Sequence, residues 1–494
     1  MIEINLQSKI DNLKSTRIRT RFAPSPTGSM HVGGVRTALF AWLIARKSNG
    51  AFILRIEDTD KVREVKGSIE QIEQSLQWLD INWQEGINIG GPNAPYLQSE
   101  RLDIYKEWAN KLIANGRAYV DPYSKEQLDE FRKICKTNKK PFLYRDNRPD
   151  SLNIKQTDWY GKQPLRFKSE PKAYTWNDVV MGELSAGPEA VDDFILIKSD
   201  GYPTYNFCHI IDDMIMGITH VLRSQEFISS TPKYLNLYEA LNIERPILAT
   251  LPYVLSIDGQ KKLGKRDGAK DILEYSREGY VAEAMMNFLA TLGWNDGSEQ
   301  EVFSVDELIE KFSLDRVQKG PARFDEKRLL WLNGQWIRRL PLDELYQRAK
   351  DFWPESANQA NEKTRKQILK LAQDRLKTLA DLPSLTSYFF IEPTPNWNMI
   401  TSDKQLSKLS HDEIVMILKS AQTALSTSKY DAESIQKTLN SLLETTGRKP
   451  GILFSIIRLA VSWAPFSPAL NETLSTLGPD KVNTRLQTAI NAAT

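Results

Sequence analysis

The sequence predicts an α/β protein in which a parallel sheet is interrupted by an α+β insertion and followed by an all-helical C-terminal region. Three observations carry this prediction. A strand, a helix and a second strand follow one another within residues 17–54, which is typical of a parallel βαβ unit. Residues 118–200 are irregular, and α/β character returns at residue 201. Beyond residue 273, apolar residues recur at helical spacing.

The first elements are indicated by alternation and by turn residues. In residues 17–22, isoleucine, threonine and phenylalanine alternate with three arginines, which predicts a strand that PSPTG at 24–28 stops. Residues 32–47 carry one apolar helical face, and Asn-Gly follows shortly after them. AFIL at 51–54 predicts a buried strand leading into RIEDTD at 55–60. Those carboxylates lie at the end of the strand, where parallel sheets bind ligands.

The later elements follow from the same signals. Apolar residues at helical spacing predict a second amphipathic helix at 69–79. Short strands are expected at 164–168 and 194–198, inside the insertion, and another strand begins the apolar segment 247–259. The proline-containing sequence IEPTPNW at 391–397 divides the helical region into two parts.

Composition and charge limit the class of protein. The chain has 494 residues, enough for about three domains. Its 65 Lys and Arg against 63 Asp and Glu leave a net charge of +2, so a nucleic acid would have to bind local basic patches. Cys135 and Cys208 share no ligand-like spacing with the four histidines, so neither a disulfide framework nor zinc is expected. With no apolar run of ~18 residues and no secretory signal, we expect a cytoplasmic protein.

Two glycine-containing segments are candidate phosphate sites. PSPTGSMHVGG at 24–34 joins a strand to a helix N-terminus, where free N–H groups favour anions, although an ordinary turn has the same composition. GQKKLGKRDGAK at 259–270 contains the GxxxxGK spacing of a phosphate-loop NTPase, but Arg266 replaces the Ser or Thr that would hold magnesium. A solvated basic loop and a lid over phosphates both fit this second segment.

Charged residues in otherwise apolar surroundings form two further candidates. The carboxylates of RIEDTD suit magnesium, an arginine, an ammonium group or a ribose hydroxyl, or simply a hydrated turn. Tyr205, Asp212, Asp213 and Arg223 interrupt an apolar α/β segment. Arg223 could bind a carboxylate ligand through two hydrogen bonds, or form a structural salt bridge to one of the two aspartates.

These segments, in this order, resemble the bacterial-type glutamyl-tRNA synthetases, a family of class I aminoacyl-tRNA synthetases. RFAPSPTGSMHVGGVRTALFAW is similar to the family's opening, with the HIGH-type signature at 31–34, and RIEDTD, DGYPTYNF, IDDMIMGITHVLRSQE and KKLGKRDGA follow in family order. The resemblance implies a Rossmann-type catalytic domain in two halves (17–117 and 201–258), an acceptor-stem-binding insertion (118–200), a stem-contact region with the KMSKS-type loop (259–335) and two helical anticodon-binding subdomains (336–390 and 391–494).

The resemblance also implies roles for individual residues. The residues implied to bind ATP are Ser25, His31, Gly33, Gly34, Lys262 and Lys265. His31, Lys262 and Lys265 are the catalytic residues among them. The residues implied to bind glutamate are Arg21, Glu57, Tyr205, His209 and Arg223. Within this set, Arg223 is expected to face the side-chain carboxylate and Glu57 the ammonium group. Asp60 is expected near the terminal adenosine of tRNA, and Arg375 at the anticodon.

The implied reaction is ATP-dependent ligation of L-glutamate to tRNA-Glu through a glutamyl-adenylate, releasing AMP and diphosphate. ATP with Mg²⁺ is the expected cofactor, no zinc or membrane is expected, and the chain should act as a monomer; charging of tRNA-Gln is left open. Gly264 stands where the family usually has serine, and His209 occupies a variable position. The alternatives are a glutaminyl-tRNA synthetase-like enzyme, which would carry a β-barrel anticodon region, and a catalytically inactive RNA-binding paralogue.

Overall fold

The computed structural model describes residues 17–149, 159–263, 270–464 and 467–493. The chain forms two compact units. One contains the chain up to Tyr275 together with Met285–Asp325, and the other contains Ser276–Ala284 and the chain from Glu326 onwards. Within the described ranges, none of the helices combines the length and the apolar character needed to span a bilayer.

Twelve strands are described, all in the first unit. They are β1 (Arg19–Phe22), β2 (Ala51–Leu54), β3 (Glu85–Gly86), β4 (Ala118–Val120), β5 (Leu165–Phe167), β6 (Tyr174–Asp178), β7 (Gly182–Ala186), β8 (Ile195–Ile197), β9 (His220–Ser224), β10 (Ile247–Leu251), β11 (Val254–Leu255) and β12 (Ala322–Arg323).

Helices lie around these strands and make up the C-terminal part of the chain. Those up to Lys311 are α1 (Val32–Lys47), α2 (Ser68–Trp78), α3 (Leu102–Ala114), α4 (Lys125–Thr137), α5 (Tyr205–Ile215), α6 (Thr231–Leu241), α7 (Ile272–Arg277), α8 (Ala282–Ala290) and α9 (Val305–Lys311). Those beyond are α10 (Glu326–Arg339), α11 (Leu342–Arg348), α12 (Glu362–Gln373), α13 (Leu382–Phe390), α14 (Asn398–Thr401), α15 (His411–Ser426), α16 (Ala432–Thr446), α17 (Pro450–Ser462), α18 (Leu470–Leu477) and α19 (Pro479–Ala493).

A parallel sheet forms the centre of the first unit. β2 pairs with β1 on one side and with β3 on the other, and β9 pairs with β10, all in parallel. β9 lies beside β1, where the Thr219 N–H donates to the Arg19 carbonyl at 2.9 Å. The three-stranded sheet β1-β2-β3 and the two-stranded sheet β9-β10 therefore lie side by side, in the order β3-β2-β1-β9-β10. The direction of winding therefore reverses between β1 and β9, and the carboxyl ends of these two strands are where such sheets bind ligands.

β1 is buried along its whole length. Alternation with arginine predicted a strand at this position correctly, but Arg19 and Arg21 lie in the interior and not on a solvated face. Arg19 pairs with Glu85 of β3 at 2.8 Å, which supplies the counter-charge that a buried guanidinium needs.

The insertion is built from antiparallel strands, as its short apolar pieces predicted. β5 pairs with β4 and β8, and β6 pairs with β7. The segment 119–122 is held by hydrogen-bonded charges: Tyr119 donates to Asp193 at 2.6 Å, and Arg166 pairs with Asp121 at 2.5 Å. α4 begins with a capping box at Ser124 and has no fully buried residue. One of its faces is partly buried, and Phe131 on this face meets the Tyr123 ring edge-on at 5.1 Å.

The second unit is helical and contains two apolar clusters. One lies between α10, α11, α12 and α13, and the larger one lies between α15, α16, α17, α18 and α19. Ile414, Ile417, Ala421 and Leu425 of α15 are all buried in the larger cluster, as their helical spacing predicts. The predicted break at 391–397 contains no helix. The α/β fold class with a helical C-terminal region is thus confirmed, whereas the six domain boundaries remain predictions.

Candidate active site

The candidate site lies at the carboxyl ends of β1 and β9. Arg21 stands near the end of β1, and its Nε donates to Asp213 Oδ1 at 3.0 Å. Its Nη1 donates to the Leu222 carbonyl of β9 at 3.3 Å, so this side chain joins the two strands at the reversal point. Arg223 follows Leu222 on β9 and is also buried. The sheet therefore places two guanidinium groups at its ligand-binding edge.

Beneath this edge lies a buried network of charges centred on Arg55, which is 0% exposed. Arg55 contacts Asp213 at 2.9 Å, Glu57 at 3.1 Å and Asp212 at 3.7 Å. Burial alone would lower the pKa of Arg55, but the three carboxylates raise it well above its usual value. For the carboxyl of Asp213, burial alone would raise the pKa, but Arg21 and Arg55 hold the pKa at about 2. Both partners are therefore ionised at neutral pH, and each fixes the other's orientation.

Glu57 is a carboxylate with a raised pKa. Its side chain is buried, and burial raises its pKa to about 7 even though Arg55 and Arg21 act in the opposite direction. Arg55 Nη2 donates a hydrogen bond to its Oε1 at 3.1 Å. A second cation beside Glu57, such as an ammonium group, would favour the ionised form.

Aromatic rings form one wall of the site. The Tyr205 and His209 rings stack with centroids 4.5 Å apart at an angle of 9°, and Tyr234 meets His209 edge-on at 4.7 Å. His209 Nδ1 lies 2.6 Å from the Tyr205 carbonyl, so that nitrogen carries the proton. Burial lowers the pKa of His209 to about 3, which keeps the imidazole neutral at any working pH. The structure therefore shows His209 packed between two rings.

Arg223 differs from the other buried arginines of this edge in lacking a carboxylate partner among the described residues. It is 7% exposed, its Nη2 donates to Thr231 Oγ1 at 3.0 Å, and its guanidinium lies 5.0 Å from the Tyr234 ring centre. Asp212 is bound to Arg101, and Asp213 to Arg21 and Arg55, so the salt bridge considered from sequence does not form. A buried cation of this kind is stabilised when an anionic ligand supplies the missing charge.

A cavity of about 390 Å³ lies between the 24–34 segment and the strand ends of β9 and β10. The residues assigned to ATP that line it are Ser25, His31, Gly33, Gly34 and Lys262. Its opposite wall consists of Leu251–Val254. The structure thus brings Lys262 and Leu263, from the described part of the 259–270 segment, to the same cavity as the 24–34 segment.

His31 is the N-cap of α1. Its Nδ1 accepts a hydrogen bond from the Gly33 N–H at 3.2 Å, which leaves other N–H groups of the first turn directed along the helix axis. A Cβ at Gly33 would lie 3.3 Å from the imidazole, whereas at Gly34 it would meet nothing within 4 Å. The first glycine therefore permits the histidine cap, and the second leaves the helix end open to a ligand.

Lys262 lies at the rim of the cavity. Its Nζ contacts Glu226 in an ion pair that is about half exposed, and it lies 4.5 Å from the Tyr253 ring centre. Lys265, together with Gly264 and Arg266, lies outside the described residues, so its assignment as a catalytic residue stays a prediction.

Two of the predicted residues do not join this cluster. Asp60 is half-buried after β2 and pairs with Arg63 at 2.6 Å, which lowers the pKa of the carboxyl. Arg375 belongs to the second unit, where it is exposed in the turn that follows α12. Both positions are compatible with contacts to a large ligand, and neither is part of the arginine and carboxylate network.

Comparison with protein families decides the assignment. Residues 17–331 match the family described as tRNA synthetases class I (E and Q), catalytic domain, and residues 344–490 match the anticodon binding domain. The chain belongs to the glutamate and glutamine group of class I tRNA synthetases. The resemblance seen in the sequence is confirmed, and a phosphate-loop NTPase is excluded.

Relatives of this class I synthetase extend over nearly its whole length. A glutamate–tRNA ligase of Moorella thermoacetica is 38% identical over 489 residues, covering 96% of this chain and 98% of the relative. One of Clostridium botulinum is 39% identical over 484 residues, covering 96% and 98%. A glutamate tRNA ligase of Elizabethkingia meningosepticum, solved in complex with its amino acid, is 30% identical with a TM-score of 0.85, covering 97% of this chain and 100% of that chain.

Sequence reasoning missed part of this synthetase's site. Arg55 and Arg101 were assigned no role, although both are almost fully buried and hold the aspartates of α5. Arg55 is the single charge within the apolar run FILRI, and this could have identified it. A cation in a buried strand requires a buried partner, so its position alone predicts a buried ion pair. Arg36, which lines the cavity, was also assigned no role.

Proposed function

We propose that this synthetase ligates L-glutamate to tRNA-Glu, using ATP to form a glutamyl-adenylate and releasing AMP and diphosphate. The observation that carries the choice of amino acid is Arg223, a buried guanidinium without a carboxylate partner among the described residues. Glutamine would present an amide N–H₂ donor to this group of donors, whereas glutamate presents two acceptor oxygens. The glutamate–tRNA ligases that match the chain over 96% of its length support the same choice.

In the proposed amino-acid pocket, each charge of glutamate has a partner. Arg223 binds the side-chain carboxylate, and Glu57 binds the ammonium group. Arg21 binds the α-carboxylate with the part of its guanidinium that Asp213 and Leu222 do not occupy. Tyr205 and His209 form the flat wall along which the aliphatic part of the substrate lies. This arrangement positions the α-carboxylate towards the cavity.

ATP is proposed to occupy the 390 Å³ cavity, with its phosphates at the N-terminus of α1 and its adenosine against Leu251–Val254. Among the described residues, no group of three or more His, Cys, Asp or Glu side chains is placed to hold a metal ion. We therefore propose that Mg²⁺ enters bound to the ATP phosphates, as is usual for nucleotides, and that no protein-bound zinc takes part.

The chemistry requires no nucleophilic side chain. An oxygen of the glutamate α-carboxylate attacks the α-phosphorus of ATP, the bond to the bridging oxygen breaks, and diphosphate leaves. A hydroxyl oxygen of the terminal tRNA ribose then attacks the glutamyl carbonyl carbon, and the bond from that carbon to the oxygen bound to phosphorus breaks. AMP leaves carrying the oxygen that attacked in the first step, and the hydroxyl proton passes to the departing phosphate or to solvent. Negative charge that develops in the first step is stabilised by His31, Lys262, Lys265 and the N–H groups of α1. Catalysis then rests on positioning two bound substrates and on fixed positive charge.

The tRNA is proposed to contact several parts of the chain. The insertion (118–200) would bind the acceptor stem, Asp60 would lie near the terminal adenosine, and Arg375 would read the anticodon. The helical region at 344–490, which matches the anticodon binding domain, supports the last assignment. The protein is proposed to act as a cytoplasmic monomer.

The test is ATP–diphosphate exchange with glutamate, in the presence and absence of tRNA-Glu, followed by a charging assay. We expect exchange that depends on glutamate and requires tRNA, and formation of glutamyl-tRNA. Exchange supported by glutamine would favour a glutaminyl enzyme, and absence of both exchange and charging would favour an inactive paralogue. A robust exchange rate without tRNA would contradict the tRNA requirement while leaving the ligase assignment in place.

A further inference from the structure

A buried arginine in the wall of the nucleotide cavity has no role in the reaction described above. Arg36 lies one turn into α1 and is 3% exposed. Its partners in the structure are neutral: Nη1 donates to the Leu292 carbonyl at 3.0 Å, and Nη2 donates to the Pro252 carbonyl. Nε has no partner in the part of the chain that the structure describes. A buried guanidinium without a counter-charge is costly, so its retention requires an explanation.

The charge on Arg36 persists at neutral pH. Burial lowers its pKa to about 10, which still leaves the group fully protonated, and no carboxylate among the described residues raises the value again. Its remaining contact is with the Phe40 ring, whose centre lies 5.6 Å from the guanidinium carbon.

The partners of Arg36 identify what it holds in place. Pro252 lies in the middle of Leu251–Val254, the wall proposed to receive adenosine, and Arg36 itself lines the same cavity. Leu292 precedes Gly293, which adopts a positive φ of 87° and lies close to Arg36: a Cβ at Gly293 would be 3.6 Å from Nη1. One side chain thus ties α1, whose N-terminus faces the phosphates, to the segment across the cavity and to the turn behind it.

We propose that Arg36 is a positioning residue of the nucleotide site, which fixes Leu251–Val254 relative to α1 and so sets the width of the cavity for adenosine. This inference rests on the proposed function, because it takes ATP to be the occupant. It predicts that loss of the Arg36 contacts weakens binding of adenosine and ATP together, because the contact affected is the one to the nucleoside. Glutamate binding should be preserved, since Arg36 contacts none of Arg21, Glu57 or Arg223.

The experiment compares Arg36→Lys and Arg36→Gln with the parent enzyme. Lysine keeps the charge but cannot hold two carbonyl groups on separate segments, and glutamine removes the charge as well. Dissociation constants for ATP, adenosine and glutamate are measured by calorimetry, and thermal unfolding reports on the fold. Arg46→Gln is the matched control, because Arg46 is exposed on the same helix and its guanidinium rests on Trp42.

We expect both Arg36 variants to weaken ATP and adenosine by a similar factor of about ten, the size expected for loss of a charged hydrogen bond, with glutamate binding and the control unchanged. Unchanged affinity for ATP in both variants would overturn the proposal. Equal losses of affinity for ATP and for glutamate, together with a lowered Tm, would also overturn the proposal, because the role of Arg36 would then be structural. ATP weakened with adenosine unaffected would also overturn it, because Arg36 would then act on the phosphates. If the parent enzyme itself does not bind ATP, the proposed function fails as well.

Discussion

Replacement of Arg223 by glutamine tests the amino-acid pocket most directly. In the proposed complex, Arg223 donates two charge-assisted hydrogen bonds to the side-chain carboxylate of glutamate, in a site where the guanidinium is only 7% exposed. Each such bond contributes about 1.5–3 kcal/mol, so loss of both corresponds to about 3–6 kcal/mol. A glutamine side chain at position 223 can still donate one hydrogen bond, which places the expected loss in kcat/KM for glutamate at about 10²- to 10³-fold.

The same substitution should act differently on the two candidate amino acids. Glutamine as substrate is rejected because its amide leaves a charged donor unpaired, and this penalty disappears when Arg223 is removed. The assay is kcat/KM for glutamate and for glutamine, with tRNA at saturation, in the parent enzyme and in Arg223→Gln. The ratio between the two amino acids should narrow by at least about tenfold.

A control separates recognition from packing, because Arg223 also binds Thr231 at 3.0 Å. Thr231→Val removes that hydrogen bond and leaves the guanidinium in the site, so both amino acids should lose activity slightly and in parallel. If Arg223→Gln behaves as Thr231→Val does, with both values reduced and their ratio unchanged, Arg223 is a structural residue. The reasoning about the pocket would then be refuted.

Three further predictions concern other charges of the site. KM for glutamate should rise as the pH falls from about 8 to about 6, because Glu57, whose pKa is raised to about 7, takes up a proton and no longer attracts the ammonium group. Glu57→Gln should show a high KM without this pH dependence. A KM that does not change with pH in the parent enzyme would contradict the assignment of Glu57. Lys265→Ala should lower the single-turnover activation rate by about a hundredfold without changing Tm, whereas an unchanged rate would make the lysine a solvated loop residue. Asp213→Asn should lower the free energy of unfolding in urea by about 3–5 kcal/mol, because it leaves Arg55 short of a counter-charge. Asp60→Asn, which removes a half-exposed ion pair with Arg63, should change it by less than about 1 kcal/mol; equal effects of the two variants would show that the buried network is not stabilising.

The fold could be predicted from local patterns wherever one chain segment determines its own structure. Alternation, turn residues and helical spacing located β1, α1, β2 and α2, because each element carries its own periodicity and end signals. The same patterns do not show whether a strand is buried on one face or on both faces. Arg19 and Arg21 look like the polar face of a strand in the sequence, and become interior residues only because Glu85 and Asp213 come from distant segments.

For the site, the sequence indicated which residues are candidates better than it indicated which of them pair with each other. Carboxylates after a strand marked Glu57 as a candidate, a charge within an apolar segment marked Arg223, and the family resemblance added Arg21. The structure brings all three to one edge of the sheet. Which arginine already has a carboxylate partner is decided by three-dimensional contacts. Asp213 binds Arg21 and Arg55, whereas Arg223 has no carboxylate partner in the part of the chain that the structure describes. His209 illustrates the same limit, because its stacking on Tyr205 depends on the one-turn spacing within α5 and its edge-on contact depends on a separate helix.

The charge network under the amino-acid pocket constrains how this enzyme can change its substrate over evolution. Arg21 neutralises Asp213 within the core. If it also binds the α-carboxylate as proposed, a mutation that alters its side chain disturbs binding and folding at once. Among the described residues, Arg223 neutralises no buried carboxylate, and it donates a hydrogen bond to the neutral Thr231. Descendants that accept a different side chain should therefore diverge first at the end of β9 and in the aromatic wall, while the charges below remain as they are.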